Sequence, residues 1–140
     1  RVHKPLRERW LEGDPEVRAG YERISELARA GKKALLLEDW DTLGRLMNEN
    51  HDIQRSLGGS GETNEALIAA ALAAGAPGAK LAGAGDGGTI IILWPNEDVA
   101  TLEAVMAAAG TTATYTLAIS PGVTVDHDGP ADEPAGSHEA

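Results

Sequence analysis

The chain contains no cysteine and no phenylalanine, and its 140 residues include only three tryptophans and two tyrosines. Without cysteine, disulfide bonds and cysteine-ligated metal centres are excluded, and a reducing, cytoplasmic compartment is the expected location. With so few aromatic side chains, the core must rest on leucine, isoleucine, valine and alanine. The length suits one domain with a core of that kind.

Long apolar runs and evenly spread positive charge are also missing. No apolar stretch approaches the ~20 residues of a membrane span, and no signal-like apolar region follows the charged first residues, so we expect no membrane partner. The net charge is −10, and nine of the twelve lysines and arginines lie within residues 1–33. Lys80 is the only basic residue after Arg55. A nucleic-acid surface needs a clustered basic patch, so no nucleic-acid partner is expected either.

The most informative segment is rich in glycine and directly precedes an apolar, β-branched run. Residues 83–88 are Gly-Ala-Gly-Asp-Gly-Gly, and three isoleucines follow Thr89. Glycines at this density allow positive φ angles and a close approach of the backbone to a partner. Such a loop can turn its N–H groups toward an anion, which makes phosphate the first ligand to consider. A tight turn between two strands also favours glycine, so glycine content alone leaves both interpretations open.

The spacing of Gly83, Gly85 and Gly88 matches the G-x-G-x-x-G pattern of dinucleotide-binding folds. That fingerprint requires a helix directly after the loop, because the N-terminus of the helix holds the pyrophosphate. Residues 89–94 instead have the short apolar pattern of a buried strand. The phosphate loop of the Walker A type also fails, since no Gly-Lys-Ser/Thr follows. The sequence therefore excludes both fingerprints.

Capping residues and glycines set the expected helix boundaries. Asp14 followed by Pro15 is a strong start signal, and the apolar spacing after it predicts a helix over residues 16–30 that Gly31 ends. Three further helices are predicted: one over residues 33–56, one capped by Ser60 and running to about residue 74, and one capped by Asn96 or Asp98 and running to residue 109.

Strands are predicted on both sides of the glycine segment, over residues 79–82, 89–94 and 113–120, with a short edge strand at residues 123–125. Residues 1–13 are expected to be an arm or an incomplete helix. From residue 126 onward the chain holds five acidic residues and no lysine or arginine, a composition that predicts a disordered tail. We therefore divide the chain into a domain over residues 1–125 and a tail over residues 126–140.

A row of mostly polar residues runs along one face of the second predicted helix. Asp41, Gly44, Asn48, His51 and Arg55 recur at spacings of three and four, so they share that face. The row could line a pocket, or it could be a flank of the helix that faces water.

Three segments together resemble the C-terminal domain of the GHMP kinases, a superfamily that includes galactokinase, homoserine kinase, mevalonate kinase and phosphomevalonate kinase. They are Met-Asn-Glu-Asn-His at residues 47–51, Leu-Gly at residues 57–58, and Gly-Ala-Lys-Leu-Ala-Gly-Ala-Gly-Asp-Gly-Gly at residues 78–88. The last segment is similar to the third motif of the family, in which a glycine-rich loop precedes a hydrophobic strand. The resemblance spans roughly residues 16–120, and the loop is its most specific part.

The resemblance implies an α+β, ferredoxin-like, two-layer fold in which an antiparallel sheet is packed by helices. It also implies a parent enzyme that uses ATP and Mg²⁺ to phosphorylate a small-molecule acceptor. We favour a sugar as the acceptor, with a mevalonate- or phosphomevalonate-type substrate as the alternative. The residues that would bind the nucleotide phosphates are Gly83, Ala84, Gly85, Asp86, Gly87 and Gly88.

Three further residues are candidates to face the acceptor substrate. Asn48 and His51 qualify by their shared helical face, and Glu62 is the third; a structural role is the alternative for each. Lys80 is the only cation near the loop, and it could pair with phosphate or with a neighbouring acid. No catalytic residue and no protein-bound metal is assigned.

Two departures from the family pattern bear on function. Asp86 stands where many members have glycine; its carboxylate would repel phosphate unless Mg²⁺ lies between them or the side chain points away, and stabilising a turn is the alternative role. The serine-rich Gly-Leu-Gly-Ser-Ser-Ala loop of the family is absent, and the chain begins Arg-Val-His without methionine. We therefore expect a C-terminal portion of a kinase that is inactive without its N-terminal domain.

Two other classes of function stay open at the level of sequence. One is a stand-alone α+β module that binds or senses a small ligand through the glycine loop, and the other is a structural dimerisation domain. A homo-oligomer is compatible with each of the three.

Overall fold

The computed structural model describes residues 5–83, 88–118, 120 and 122. In chain order the elements are α1 (Leu6–Leu11), α2 (Pro15–Leu36), α3 (Trp40–Ser56), α4 (Glu62–Ala73), β1 (Gly78–Ala82), β2 (Thr89–Leu93) and α5 (Val99–Ala108). An antiparallel sheet packed by helices confirms the predicted α+β class. The middle of the glycine loop (residues 84–87), the predicted edge strand at residues 123–125 and the predicted tail over residues 126–140 lie outside the described residues.

The first long helix starts where the sequence predicts and ends later. Asp14 caps α2 by accepting hydrogen bonds from the backbone N–H groups of Glu16 and Val17. Gly31 does not end the helix, which continues to Leu36. A Cβ built on Gly31 would lie 3.6 Å from a methyl carbon of Leu43, so this glycine lies where α2 packs against α3. The predicted stop at Gly31 is therefore wrong, because a small residue at a helix contact has the same sequence signature as a C-terminal glycine.

The break between α2 and α3 lies at residues 37–39 instead. Glu38 adopts a positive φ of 54°, and the carboxylate of Asp39 accepts a hydrogen bond from the backbone N–H of Thr42 at 3.0 Å. One continuous helix over residues 33–56 is therefore a wrong prediction. The two helices pack against each other through a small core of Leu27, Ala34 and Leu46, with Leu43 and Ile53 beside it.

Two more boundaries differ from the sequence expectations in detail. Gly61, not Ser60, is the N-cap of α4, and it offers no side-chain cap. Asp98 caps α5 by accepting from the backbone N–H of Thr101 at 3.0 Å. The strand predicted over residues 113–120 is absent from the described part of that segment, where Tyr115 is 81% and Leu117 84% exposed. Alternating apolar residues form a strand only where a neighbouring strand pairs with them.

The strands β1 and β2 form an antiparallel hairpin, paired from Gly78 with Leu93 to Ala82 with Thr89. One face of the hairpin, which includes Ala79 and Ile92, packs on the main core. That core is built by Leu67, Ile68, Ala71, Ala76, Ala79, Leu102 and Met106, chiefly from α4 and α5. Within the described residues, no helix combines the length and the apolar character that a membrane span requires.

Candidate functional site

The glycine loop leaves the sheet at Gly83 and returns to it at Gly88. Their φ angles are 92° and 116°, values that residues with a side chain rarely adopt. Among the described residues, no atom lies within 4 Å of a Cβ built on either glycine. Backbone conformation, and not crowding, therefore requires glycine at both ends of the loop. The loop does connect two antiparallel strands, as the turn interpretation expects, and its phosphate-binding role stays a prediction.

Helix α3 runs along the edge of β1 that faces away from β2, and the two backbones touch. A Cβ built on Gly44 would lie 2.4 Å from the carbonyl carbon of Pro77. A Cβ built on Gly78 would lie 2.6 Å from the Cα of Gly44. Real Cβ atoms do not approach backbone so closely, so both positions require glycine for packing reasons. This close approach brings the side chains that follow Gly44 on α3 against β1.

Asn48, one turn after Gly44, takes the place of a neighbouring strand. Its Nδ2 donates to the carbonyl oxygen of Pro77 at 3.1 Å, and its Oδ1 accepts from the backbone N–H of Ala79 at 3.0 Å. A side-chain amide carries one donor group and one acceptor, as a peptide unit does. Asn48 therefore satisfies two backbone groups at the free edge of β1.

His51 continues this pairing one turn further along α3. Its side chain is buried, with 3% of the residue surface exposed. The backbone N–H of Leu81 donates to Nδ1 at 3.4 Å, and Nε2 lies 2.9 Å from Oε1 of Glu65. Because Leu81 can only donate, Nδ1 must be the acceptor, and the proton of the neutral ring lies on Nε2. His51 thus joins α3, α4 and β1. We call the set of Gly44, Asn48 and His51 against β1 the edge contact.

The carboxylate of Glu65 is held from several sides. Oε2 accepts from Nη1 of Arg55 at 3.2 Å, and Arg55 also pairs with Asp52. The Ser60 hydroxyl, in first place, and then Arg55 and His51 keep the pKa of Glu65 below its ordinary value, although partial burial opposes them. Glu65 is therefore a carboxylate at neutral pH and can only accept the hydrogen bond from His51.

The structure divides the polar row that the sequence predicts. Gly44, Asn48 and His51 contact β1, whereas Asp41 is exposed, and Arg55 is exposed but reaches Glu65. The row is therefore neither a helix flank that faces only water nor the lining of a deep pocket. A depression of about 130 Å³ lies beside it, smaller than the roughly 300–1,000 Å³ of typical ligand sites. This depression is therefore too small to enclose a nucleotide.

The three substrate-facing candidates are placed differently. The side chains of Asn48 and His51 form hydrogen bonds with the backbone at and just before β1, whereas Glu62 is exposed in the first turn of α4. The acid that meets His51 is Glu65, which the sequence reasoning missed. No local signal marks Glu65, because its role depends on how α4 packs against α3.

Lys80 lies on β1 just before the loop. Its Nζ donates to the carbonyl oxygen of Leu81 at 2.8 Å, and burial lowers the pKa of its ammonium group. In the part of the chain that the structure describes, no ion pair joins it to an acid, so the predicted alternatives of phosphate or a neighbouring acid both stay open. The described residues also contain no group of three or more side chains that could hold a metal ion.

Comparisons with known proteins agree on one family. The model of "GHMP kinases C terminal" matches residues 32–111. "Probable glucuronokinase 2" of Arabidopsis thaliana is 37% identical over 98 residues, which cover 68% of this chain and 26% of that protein. The mevalonate kinase of Thermococcus onnurineus is 39% identical over 111 residues, which cover 68% of this chain and 33% of that protein.

A solved structure gives the same result. The crystal structure of L. major mevalonate kinase in complex with R-mevalonate superposes with a TM-score of 0.68 at 27% identity, covering 74% of this chain and 32% of that one. The chain spans about a quarter to a third of the length of the curated relatives it matches. The edge contact, both strands and the glycine loop all lie within the matched residues 32–111.

Proposed function

The chain belongs to the GHMP kinases as a C-terminal domain, and on that premise we propose that it forms one wall of the active site of an ATP-dependent small-molecule kinase. The observation that carries the proposal is the glycine loop at the tip of the β1–β2 hairpin. Both of its ends have positive φ, and no described atom lies within 4 Å of a Cβ built on either end. A backbone of this kind can bring its N–H groups close to an anion.

In this proposal the loop residues bind the phosphates of ATP through the backbone. Gly83 and Gly88 set the direction of the chain, and residues 84–87 supply the remaining N–H groups. Bound ATP, with its Mg²⁺, supplies the phosphoryl group that is transferred. Asp86 either approaches that Mg²⁺ or stabilises the turn. The contribution of the loop is positioning and electrostatic stabilisation, which dominate phosphoryl transfer.

The acceptor that we propose is a sugar or sugar acid, with mevalonate as the alternative. Relatives named for glucuronate and for mevalonate match to a similar degree, 37% and 39% identical. Of the substrate-facing candidates, Glu62 is exposed and is therefore accessible for contact with an acceptor. Asn48 and His51 contribute indirectly, by holding β1 in place, because their polar atoms form hydrogen bonds with β1.

The opposite wall and the catalytic groups belong to the N-terminal domain in this proposal. The relatives are about three to four times longer than the segments matched here. The isolated chain is therefore expected to transfer no phosphate. Its partner is the N-terminal kinase domain, and no nucleic acid or membrane enters the proposal.

The test measures ATP·Mg²⁺ binding and phosphoryl transfer by the protein at its natural length, with glucuronate and mevalonate offered as separate acceptors. Gly85→Val places a β-branched side chain in the loop, and Ala100→Val is the matched control on the exposed surface of α5. We expect Gly85→Val to raise the Kd of ATP·Mg²⁺ by about tenfold or more, equivalent to ~1.4 kcal/mol or more, and the control to leave it unchanged. An unchanged Kd in Gly85→Val would remove the phosphate role from the loop.

A further inference from the structure

We propose that His51 is a positioning residue for the glycine loop, and that it acts as the single neutral tautomer whose proton lies on Nε2. The geometric part of this proposal stands without any nucleotide. Its effect on nucleotide binding rests on the proposed function of the loop.

The first step is the location of the Leu81 N–H group. Leu81 pairs with Ile90 across the hairpin, but its N–H points to the opposite edge of β1 and donates to Nδ1 of His51. Leu81 lies two residues before Gly83, where the loop leaves the sheet. Asn48 holds Ala79 on the same edge. His51 is therefore the last side chain of the edge contact before the loop begins, and it sets the position of the strand end.

The second step is the requirement for one tautomer. A neutral imidazole has one donor and one acceptor. Leu81 N–H can only donate to it, and the Glu65 carboxylate can only accept from it. The opposite tautomer would place two N–H groups against each other and leave Oε1 of Glu65 facing an imidazole nitrogen without a proton. Water cannot relieve that mismatch, because His51 is only 3% exposed.

The third step is the support of Glu65. Nη1 of Arg55 on α3 donates to Oε2 of the Glu65 carboxylate at 3.2 Å, and Oε1 faces Nε2 of His51 at 2.9 Å. Residues of two helices, α3 and α4, thus fix the orientation of the imidazole. The imidazole in turn fixes the position of β1 through its hydrogen bond with Leu81. In Glu65→Gln the side-chain amide can rotate to donate to Nε2, so the variant would no longer enforce the tautomer.

Two substitutions of His51 separate its two contacts. In His51→Asn the side-chain oxygen can occupy the position of Nδ1, which keeps an acceptor for Leu81 and loses the Glu65 contact. In His51→Gln the amide nitrogen can occupy the position of Nε2, which keeps the Glu65 contact and leaves the Leu81 N–H without an acceptor. A residue that only fills space would give the two variants the same phenotype.

The experiment measures amide hydrogen exchange at Leu81 and the Kd of ATP·Mg²⁺ in the natural-length protein, with Glu103→Gln on the exposed face of α5 as the control. We expect His51→Gln to speed exchange at Leu81 by about tenfold and to raise the Kd by a similar factor. In His51→Asn, both the exchange rate at Leu81 and the Kd of ATP·Mg²⁺ should stay close to their wild-type values. The control should leave both quantities unchanged. Equal effects of the Gln and Asn variants on exchange and on the Kd would overturn the proposal.

The wild-type tautomer provides a test that needs no stable His51 variant. Long-range ¹H–¹⁵N spectra distinguish a protonated from an unprotonated ring nitrogen. They should show His51 with a proton on Nε2 only, and Glu65→Gln should introduce the other tautomer. A proton on Nδ1 in the wild-type protein would overturn the geometry. Wild-type protein that binds no ATP·Mg²⁺ would overturn the proposed function and leave the tautomer result standing.

Discussion

The two strands of the hairpin lie in opposite surroundings. The outer edge of β1 is covered by α3, and Ala79 and Leu81 are almost completely buried. Along β2, Ile91 is 45% exposed, and in the described residues no strand pairs with its outer edge. Natural sheets protect their edges from unwanted pairing, and here a helix protects one of the two.

Because one edge is covered and the other is open, we infer that the two edges of the hairpin have different roles. The protected edge leads directly into Gly83 and fixes where the glycine loop begins, through side chains that replace a strand. β2 begins just after Gly88, no strand among the described residues pairs with its outer edge, and residues 113–118, predicted as a further strand, are irregular in this structure. We therefore expect substitutions at the edge contact to have larger effects than substitutions beside β2.

The largest expected effect is at the backbone contact between α3 and β1. In Gly78→Ala the new Cβ would lie 2.6 Å from Gly44, so the helix and the strand must separate. We expect the free energy of unfolding to fall by about 2–3 kcal/mol, measured by urea denaturation. Gly122→Ala is the matched control, because no described atom lies within 4 Å of a Cβ built there, and it should change stability by less than ~0.5 kcal/mol. Equal effects of the two substitutions would contradict the close approach.

A smaller effect is expected from the asparagines of α3. Asn48→Ala leaves the carbonyl of Pro77 and the N–H of Ala79 without partners and should cost about 2 kcal/mol of stability. Asn50 is the comparison on the same helix, because its buried Oδ1 has no hydrogen-bond partner among the described residues. Asn50→Leu should therefore be neutral or stabilising by up to ~1 kcal/mol. Thermal unfolding of the two variants decides between these outcomes, and a larger loss in Asn50→Leu would reverse their assigned roles.

The smallest predicted effect is in the response to acid. The pKa of Glu65 is lower in the folded chain than its ordinary value of 4.5, chiefly through the Ser60 hydroxyl. Its contribution to stability is therefore complete above about pH 4.5 and is lost as the pH falls through the folded value. Unfolding curves between neutral and acid pH should show a shallower loss of stability in Glu65→Gln than in the wild type. The control Glu103→Gln should keep the wild-type dependence, and a shallower curve for it as well would show that the effect is not local.

The sequence predicts those features of this fold that depend on nearby residues. Asp14 and Asp98 cap the helices that the sequence predicts them to begin, and the two strands of the hairpin form where the apolar pattern predicts them. The resemblance carried by the glycine loop also leads to the family that the comparisons show.

Features that depend on packing between elements were missed. Gly31 lies at a helix contact, the acid that orients His51 is Glu65 and not Glu62, and the apolar alternation at Tyr115 and Leu117 finds no strand to pair with. Helical periodicity placed Asn48 and His51 on one face, but it could not tell whether that face meets water, a ligand or the edge of a strand. That distinction required the position of β1.

The central claim is that the protected edge presents the glycine loop to the phosphates of ATP. The most direct measurement is hydrogen exchange in the natural-length protein with and without ATP·Mg²⁺. We predict slower exchange over residues 83–88 when the nucleotide binds, and no change over residues 113–118, an exposed segment that forms no strand. Nucleotide binding that leaves residues 83–88 unchanged would contradict the claim.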